Sequence, residues 1–424
     1  MSKCKVLWLI PAGGYSYKSW VVMSSAVALM VLVTWSQVSD TEKSPNTTSY
    51  AHLLQPRRSP SKGPNAPPIL AYWILGSRGE NRRILRLLKA IYHPRNHYLL
   101  QLDSAASYHQ RLELSILTHS DTVFQEFGNV DVVGQSYAVN PMAASGLAAL
   151  LHAAALLLRI RPDWDWFIPL STSDYPLLPQ DDILYAFTSL PRDVIFMGYN
   201  NATSFHKRQN VSQIAVDPNI YLKEKSSVFY AAETREKPDA FEIFGGSPWM
   251  VLTRGFLEHC VTGLDNLPRK LLMYFNNVVF PLESYFQTVL CNTPDFQKTI
   301  LVNDDLRHSV HNIEAHLSYR DDPSIVHRAA VFATPFREDD PQLQEIDEKL
   351  LHRAPGRFVP GEWCNQTAPS SNATTSTSIW GDIDAVQPRI QGVELKKFFL
   401  RLVEENKMAS NQCTTYVMHE IPKA

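Results

Sequence analysis

Residues 280–292, Phe-Pro-Leu-Glu-Ser-Tyr-Phe-Gln-Thr-Val-Leu-Cys-Asn, set one carboxylate, Glu283, at the head of an apolar and aromatic run. Among aromatic neighbours a carboxylate is less stable as the anion. Its proton affinity then rises toward the range useful for a general base. An acidic residue in a first turn also complements the helix dipole, and the stretch alone leaves both roles open. Pro281 suits the opening of a helix, where its missing N–H costs nothing. Leu282, Tyr285, Phe286 and Val289 recur at helical spacing, so a helix is predicted from Pro281 with Glu283 in its first turn.

Two further carboxylates stand at the ends of predicted strands, Asp103 after Tyr98-Leu-Leu-Gln-Leu and Asp174 after Trp166-Phe-Ile-Pro-Leu-Ser. In an open α/β sheet ligands collect at the carboxyl ends of strands, which makes both candidates, although an Asp there also serves as a turn former. Asp163-Trp164-Asp165 holds paired carboxylates of the kind that bind metals, but it precedes its strand and so belongs to the opposite end of the sheet. No metal site is assigned to it, and its tryptophans are expected to cap the core. The fourteen histidines form no cluster at ligand spacing.

The elements that must carry these residues alternate in type. Ile69-Leu-Ala-Tyr-Trp-Ile-Leu-Gly76 is a solid apolar run that predicts a buried strand. A basic helix over 81–91, the strand 98–103, a helical piece over 108–118, a short strand at 130–133 and an apolar helix over 143–159 follow. This βαβα rhythm predicts a largely parallel sheet with helices on both faces. The 424 residues exceed the needs of one small core. A formal net charge of -2 supplies no field for nucleic acid, so any bound anion must be held by a few local cations.

Ahead of the domain, lysines at 3, 5 and 18 precede an uncharged stretch over 19–38 that is long enough to cross a bilayer and is bracketed by Trp20 and Trp35. The expected organisation is a cytoplasmic tail at 1–18, a signal anchor at 19–38, a Pro-rich stem at 39–68, a catalytic domain at 69–364 and an extension packed on it at 365–424. Sequons at Asn46, Asn201, Asn210, Asn365 and Asn372 suit a lumenal surface. Cys260, Cys291, Cys364 and Cys413 are then expected to form two disulfides, in any of three pairings. A terminal helix is predicted over 392–406.

Several segments together resemble one family. They are Ala71-Tyr-Trp-Ile-Leu-Gly-Ser77, Tyr92-His-Pro-Arg-Asn96, the run Asp163 to Leu177, Phe244-Gly-Gly-Ser-Pro-Trp-Met250, Asp265-Asn-Leu-Pro-Arg269, residues 281–292 and Pro360-Gly-Glu-Trp-Cys364. In that order, over residues 69–364, they resemble the core-2/I-branching glycosyltransferases, and among these the plant β-glucuronosyltransferase-like group. The resemblance implies a GT-A-type, Rossmann-like, inverting glycosyltransferase of the Golgi lumen that uses a UDP-sugar and needs neither metal nor other cofactor. It implies that Glu283 is the general base, that Arg307 faces the diphosphate, that Asp103 lies near the uridine and that Trp249 lies near the acceptor. Asp174 joins the donor side by its position after a strand. The family's second cation falls on Pro335, which cannot bind phosphate, so Arg337 or His308 would have to replace it. Val139-Asn-Pro-Met-Ala-Ala144 and Pro169 depart from the family as well. The implied partners are a UDP-sugar, a glycoprotein glycan and the membrane. The implied reaction is glucuronic acid transfer to arabinogalactan-type β-galactan. N-acetylglucosaminyl or xylosyl transfer, and a glycan-binding relative without turnover, remain as alternatives.

Overall fold

The computed structural model describes residues 59–200, 211–236, 238–296, 298–309, 330–364, 380–408 and Cys413. The expected anchor at 19–38, most of the stem and all five sequons lie outside these residues. Among the described residues no helix is long and apolar enough to cross a membrane.

The chain begins with β1 (Leu70–Gly76), α1 (Asn81–Ala90), β2 (His97–Leu102), α2 (Tyr108–Ser120), α3 (Thr122–Phe127), β3 (Val130–Val132) and α4 (Ala144–Ile160). It continues with β4 (Trp166–Ser171), β5 (Tyr175–Pro176), α5 (Gln180–Thr188), β6 (Ile195–Asn200), β7 (Gln213–Val216), β8 (Phe229–Thr234) and β9 (Gly245–Thr253). After these come α6 (Arg254–Thr262), α7 (Leu267–Phe275), α8 (Tyr285–Asn292), β10 (Leu301–Val302), β11 (Arg307–Ser309), β12 (Phe332–Thr334), α9 (Pro341–Glu345) and α10 (Ile390–Met408).

Seven strands form one sheet in the order β10-β6-β9-β4-β1-β2-β3. The pairs β1–β2, β1–β4, β2–β3 and β6–β10 are parallel, and β9 runs antiparallel to both of its neighbours. The solid apolar run of β1 is explained by its two faces. Leu70, Tyr72 and Ile74 enter one core while Ile69, Ala71 and Trp73 enter the other, so neither face meets water.

This separation corrects the expectation of two disulfides. Cys291 is bonded to Cys413, but Cys260 and Cys364 are free thiols. Cys260 belongs to the core on one face of the sheet and Cys364 packs against the core on the other, so the sheet stands between them.

The helix expected from Pro281 is also interrupted. Pro281–Glu283 is one 3-10 turn, Ser284 departs from helical geometry at φ -138°, and the α-helix starts only at Tyr285. The end of the stem packs on the domain: the buried Arg95 guanidinium donates to the carbonyls of Ser61 and Pro67 and pairs with Asp384.

Candidate active site

The carboxyl ends of β1, β2, β4 and β6 lie at one end of the sheet, and the start of the antiparallel β9 lies there too, because Gly245 and Gly246 pair with Asn200 and Tyr199. Gly246 is required by this approach: a Cβ there would stand 1.9 Å from the Gly198 carbonyl oxygen. A three-stranded sheet, in the order β11-β12-β5, adds to this end and brings Arg307, the first residue of β11, to Asp174, the residue before β5.

Arg307 has a buried side chain and several fixed partners. Its guanidinium lies 3.4 Å from Asp174, donates to the Pro169 carbonyl at 2.6 Å and stacks on the Trp249 ring at 4.2 Å. Burial draws its pKa down from the usual arginine value, while Asp174 and Asp305 act against that. Arginine titrates so far above neutrality that it stays cationic. Among the described residues its buried Nε has no hydrogen-bond partner.

Pro169 has a role in this arrangement. A residue's N and C=O point to the same side of a strand, so proline removes a ladder donor only on the side where its carbonyl meets Arg307. The parallel register with β1 continues through Trp73 and Pro169, whereas pairing with β9 is confined to Trp166 and Phe167.

The turn that carries Glu283 packs against β9 and against α4. One helical turn on, Gln287 donates from Nε2 to the Ser247 carbonyl at 3.0 Å. The Ser247 hydroxyl donates to Asp305 at 2.6 Å, and Asp305 accepts from the Arg307 backbone N–H at 3.1 Å. Glu283 and Arg307, 24 positions apart in sequence (307 − 283), are thus carried by elements that both hold the first half of β9. Ser247, Gln287 and Asp305 had no sequence signal, because nothing in their spacing distinguishes them from ordinary polar residues.

Each carrier is preceded by a strained residue. Phe280 has φ 53° directly before the Glu283 turn, and Leu306 has φ 57° directly before Arg307. Left-handed φ is uncommon outside glycine, and such residues concentrate at functional sites.

Asp103 lies just past β2, with Oδ1 accepting from the Ser77 hydroxyl at 2.9 Å and the Ala105 N–H at 3.0 Å. Its Oδ2 meets Lys225 at 3.4 Å. Asp174 is buried and receives the Ser171 N–H at 2.6 Å, the turn-forming role that its position also predicted. Trp249 gives one ring face to Arg307. Arg337 is exposed beyond Phe336, and the cation that reaches this loop is Arg83, which donates to the carbonyls of Thr172 and Phe336. Asp163 and Asp165 lie at the opposite end of the sheet, bonded to His97 and to the Ile69 N–H.

The sequence profile of the Core-2/I-Branching enzyme family matches residues 70–327. Beta-glucuronosyltransferase GlcAT14A of Arabidopsis thaliana is 39% identical over 353 residues, which is 82% of this chain and 78% of that protein. GlcAT14C of the same organism is 40% identical over 350 residues, 82% of this chain and 85% of that protein. Among solved structures, mouse xyloside xylosyltransferase 1 in its apo form aligns with 63% of this chain and 100% of that chain, at 10% identity and a TM-score of 0.32.

Proposed function

The chain belongs to the core-2/I-branching enzyme family, and on that premise we propose that it transfers glucuronic acid from UDP-glucuronate to β-galactan chains of arabinogalactan-type glycoproteins in the Golgi lumen. Inversion is a single displacement. The acceptor oxygen forms its bond to C1 as the C1–O bond to UDP breaks, and UDP leaves with the electron pair. Glu283 takes the acceptor's proton, and Arg307 balances charge on the departing diphosphate through its planar fork without a metal. The observation that carries the reading is the buried Arg307 guanidinium with its unpartnered Nε, on an element that shares β9 with the Glu283 turn. The choice of glucuronate rests on the names of the relatives.

A panel of UDP-sugars assayed with a β-galactan acceptor in excess EDTA tests this. Glucuronate transfer at full rate is expected. Preference for another sugar would move the donor, and loss on chelation restored by manganese would end the metal-free mechanism. A second reading, a glycan-binding relative without turnover, is favoured by Pro335 at the family's second cation position and by the outward Arg337. Protein that binds galactan yet neither hydrolyses nor transfers any UDP-sugar would establish it.

A further inference from the structure

Three positions along the crevice follow the strand order β9-β4-β1-β2. The Glu283 turn packs on β9, Arg307 donates to the Pro169 carbonyl of β4, and Asp103 directly follows β2. β2 stands two strands from β4, about 10 Å at the usual spacing between strands. A nucleotide sugar has the same sequence of parts: the reacting C1, the diphosphate, then the nucleoside. With C1 at Glu283 and the diphosphate at Arg307, the base continues toward the ends of β1 and β2.

The groups gathered there are Asp103 and Lys225. Asp103 is buried, and its Oδ1 is engaged by the Ser77 hydroxyl and the Ala105 N–H, which fix the carboxylate. The Asp103 N–H donates to the Gly76 carbonyl at 2.9 Å and so joins the ends of β1 and β2. Oδ2 meets Lys225 Nζ at 3.4 Å, longer than the roughly 2.7–2.9 Å of a closed charge-assisted bond. The lysine side chain is 47% exposed. An ammonium has three donors, and this contact engages one of them.

Lys225 is brought to β2 by a loop with buried anchors. The carboxylate of Asp217, which is buried, accepts from the Ser145 N–H of α4 at 2.8 Å and from the Asn219 N–H at 3.0 Å. Asn219, also buried, exchanges two 2.8 Å bonds with Ser226, the neighbour of Lys225. A half-exposed ion pair adds little stability by itself. Its geometry presents an acceptor and a donor side by side at the end of the sheet.

That pairing is complementary to one edge of uracil, where N3–H donates next to the O4 acceptor. Cytosine reverses both: its N3 accepts and its exocyclic amine donates. We infer that Lys225 is a specificity-determining residue that reads the base of the donor, its Nζ donating to uracil O4 while the adjacent Asp103 Oδ2 accepts from N3–H. This rests on the transferase reading. A site built to hydrogen-bond its ligand rejects an analogue that leaves its polar groups unpaired.

The test titrates the full-length protein with uridine, UDP and CDP and measures KM and kcat for the sugar donor. The wild type is expected to bind UDP more tightly than CDP. Lys225→Met should weaken uridine and UDP by the same factor, about tenfold for one hydrogen bond to a charged group, and should narrow the preference for UDP over CDP by a like factor. The donor KM should rise with kcat nearly unchanged. Lys225→Arg keeps a cationic donor and should keep the preference. A loss confined to UDP, with uridine unaffected, would make Lys225 a phosphate ligand and overturn the base reading. An unchanged ratio, with all three ligands weakened alike, would mark a purely structural tie and overturn it too. Wild-type protein that binds none of the three would end the transferase reading together with this one. Wild-type protein that binds UDP and transfers sugar, with the ratio unmoved in the methionine variant, would end this one alone.

Discussion

In the proposed mechanism Glu283, in a short 3-10 turn, and Arg307, held between Trp249, Pro169 and Asp174, divide the chemistry. Removing the charge from Glu283 tests its share directly. Glu283→Gln preserves shape and hydrogen bonding but cannot accept the acceptor proton, so transfer should fall by about a thousandfold while UDP affinity measured by calorimetry stays within a factor of about two. Undiminished turnover would remove Glu283 from the mechanism. A parallel loss of UDP affinity would show instead that the turn had moved. The left-handed conformations of Phe280 and Leu306, each costing on the order of 1–3 kcal/mol, are sustained only because their surroundings over-determine them. Leu306 is buried in the core, where packing supplies that constraint.

Elements place these residues by crossing the sheet's end rather than by lying within it. β9 enters antiparallel, and its first residues touch the Glu283 turn and underlie Arg307. α8 secures that turn from behind and is itself tied to the chain terminus by the Cys291–Cys413 bond across 122 residues. Closing so long a loop restricts the unfolded chain, by about 2–5 kcal/mol in comparable proteins. Cys413→Ser is therefore expected to lower the Tm by several degrees. A non-reducing peptide map should join residues 291 and 413, with Cys364 alkylated slowly in the native state and Cys260 only after unfolding. A peptide linking 260 to 364 would contradict the placement of these cysteines on opposite faces.

The whole molecule is closed by α10, which packs on α5 so tightly that a Cβ at Gly392 would stand 2.5 Å from Asp182 Oδ1. This contact covers Asp181, whose pKa burial raises to about 6, although the Gln387 backbone N–H opposes that shift. His93 Nε2 lies 3.7 Å from Asp181, yet burial lowers the His93 pKa to about 3, so the imidazole is neutral and the contact is not an ion pair at neutral pH. The two groups act in opposite directions. Between pH 4 and 6 the folded state holds the Asp181 proton that the unfolded chain releases, so Asp181 loses stability as pH rises through about 6. His93, depressed, loses stability as pH falls below about 6.5. Asp181→Asn removes only the first effect. By urea unfolding the variant should be more stable than the wild type at pH 7.5, with an advantage that shrinks toward pH 4. A constant advantage, or one that grows on acidification, would show that burial does not raise the Asp181 pKa in the folded state.

Sequence alone determined what local pattern determines. The apolar run of β1, the βα alternation, the terminal helix and the position of Asp103 after its strand each follow from side chains a few residues apart, because the periodicities of strand and helix are local properties. The family motifs singled out Glu283 and Arg307 in the same way, as residues within short recognisable segments. Tertiary structure decided everything that depends on which segments meet: the break at Ser284, the one disulfide among the described residues, the contact of Arg83 with the Thr172 and Phe336 carbonyls, and the Gln287–Ser247–Asp305 chain between the Glu283 and Arg307 elements. Those contacts join residues 40 or more positions apart. No periodicity records such distances; only the packing of two cores on opposite faces of one sheet brings them together.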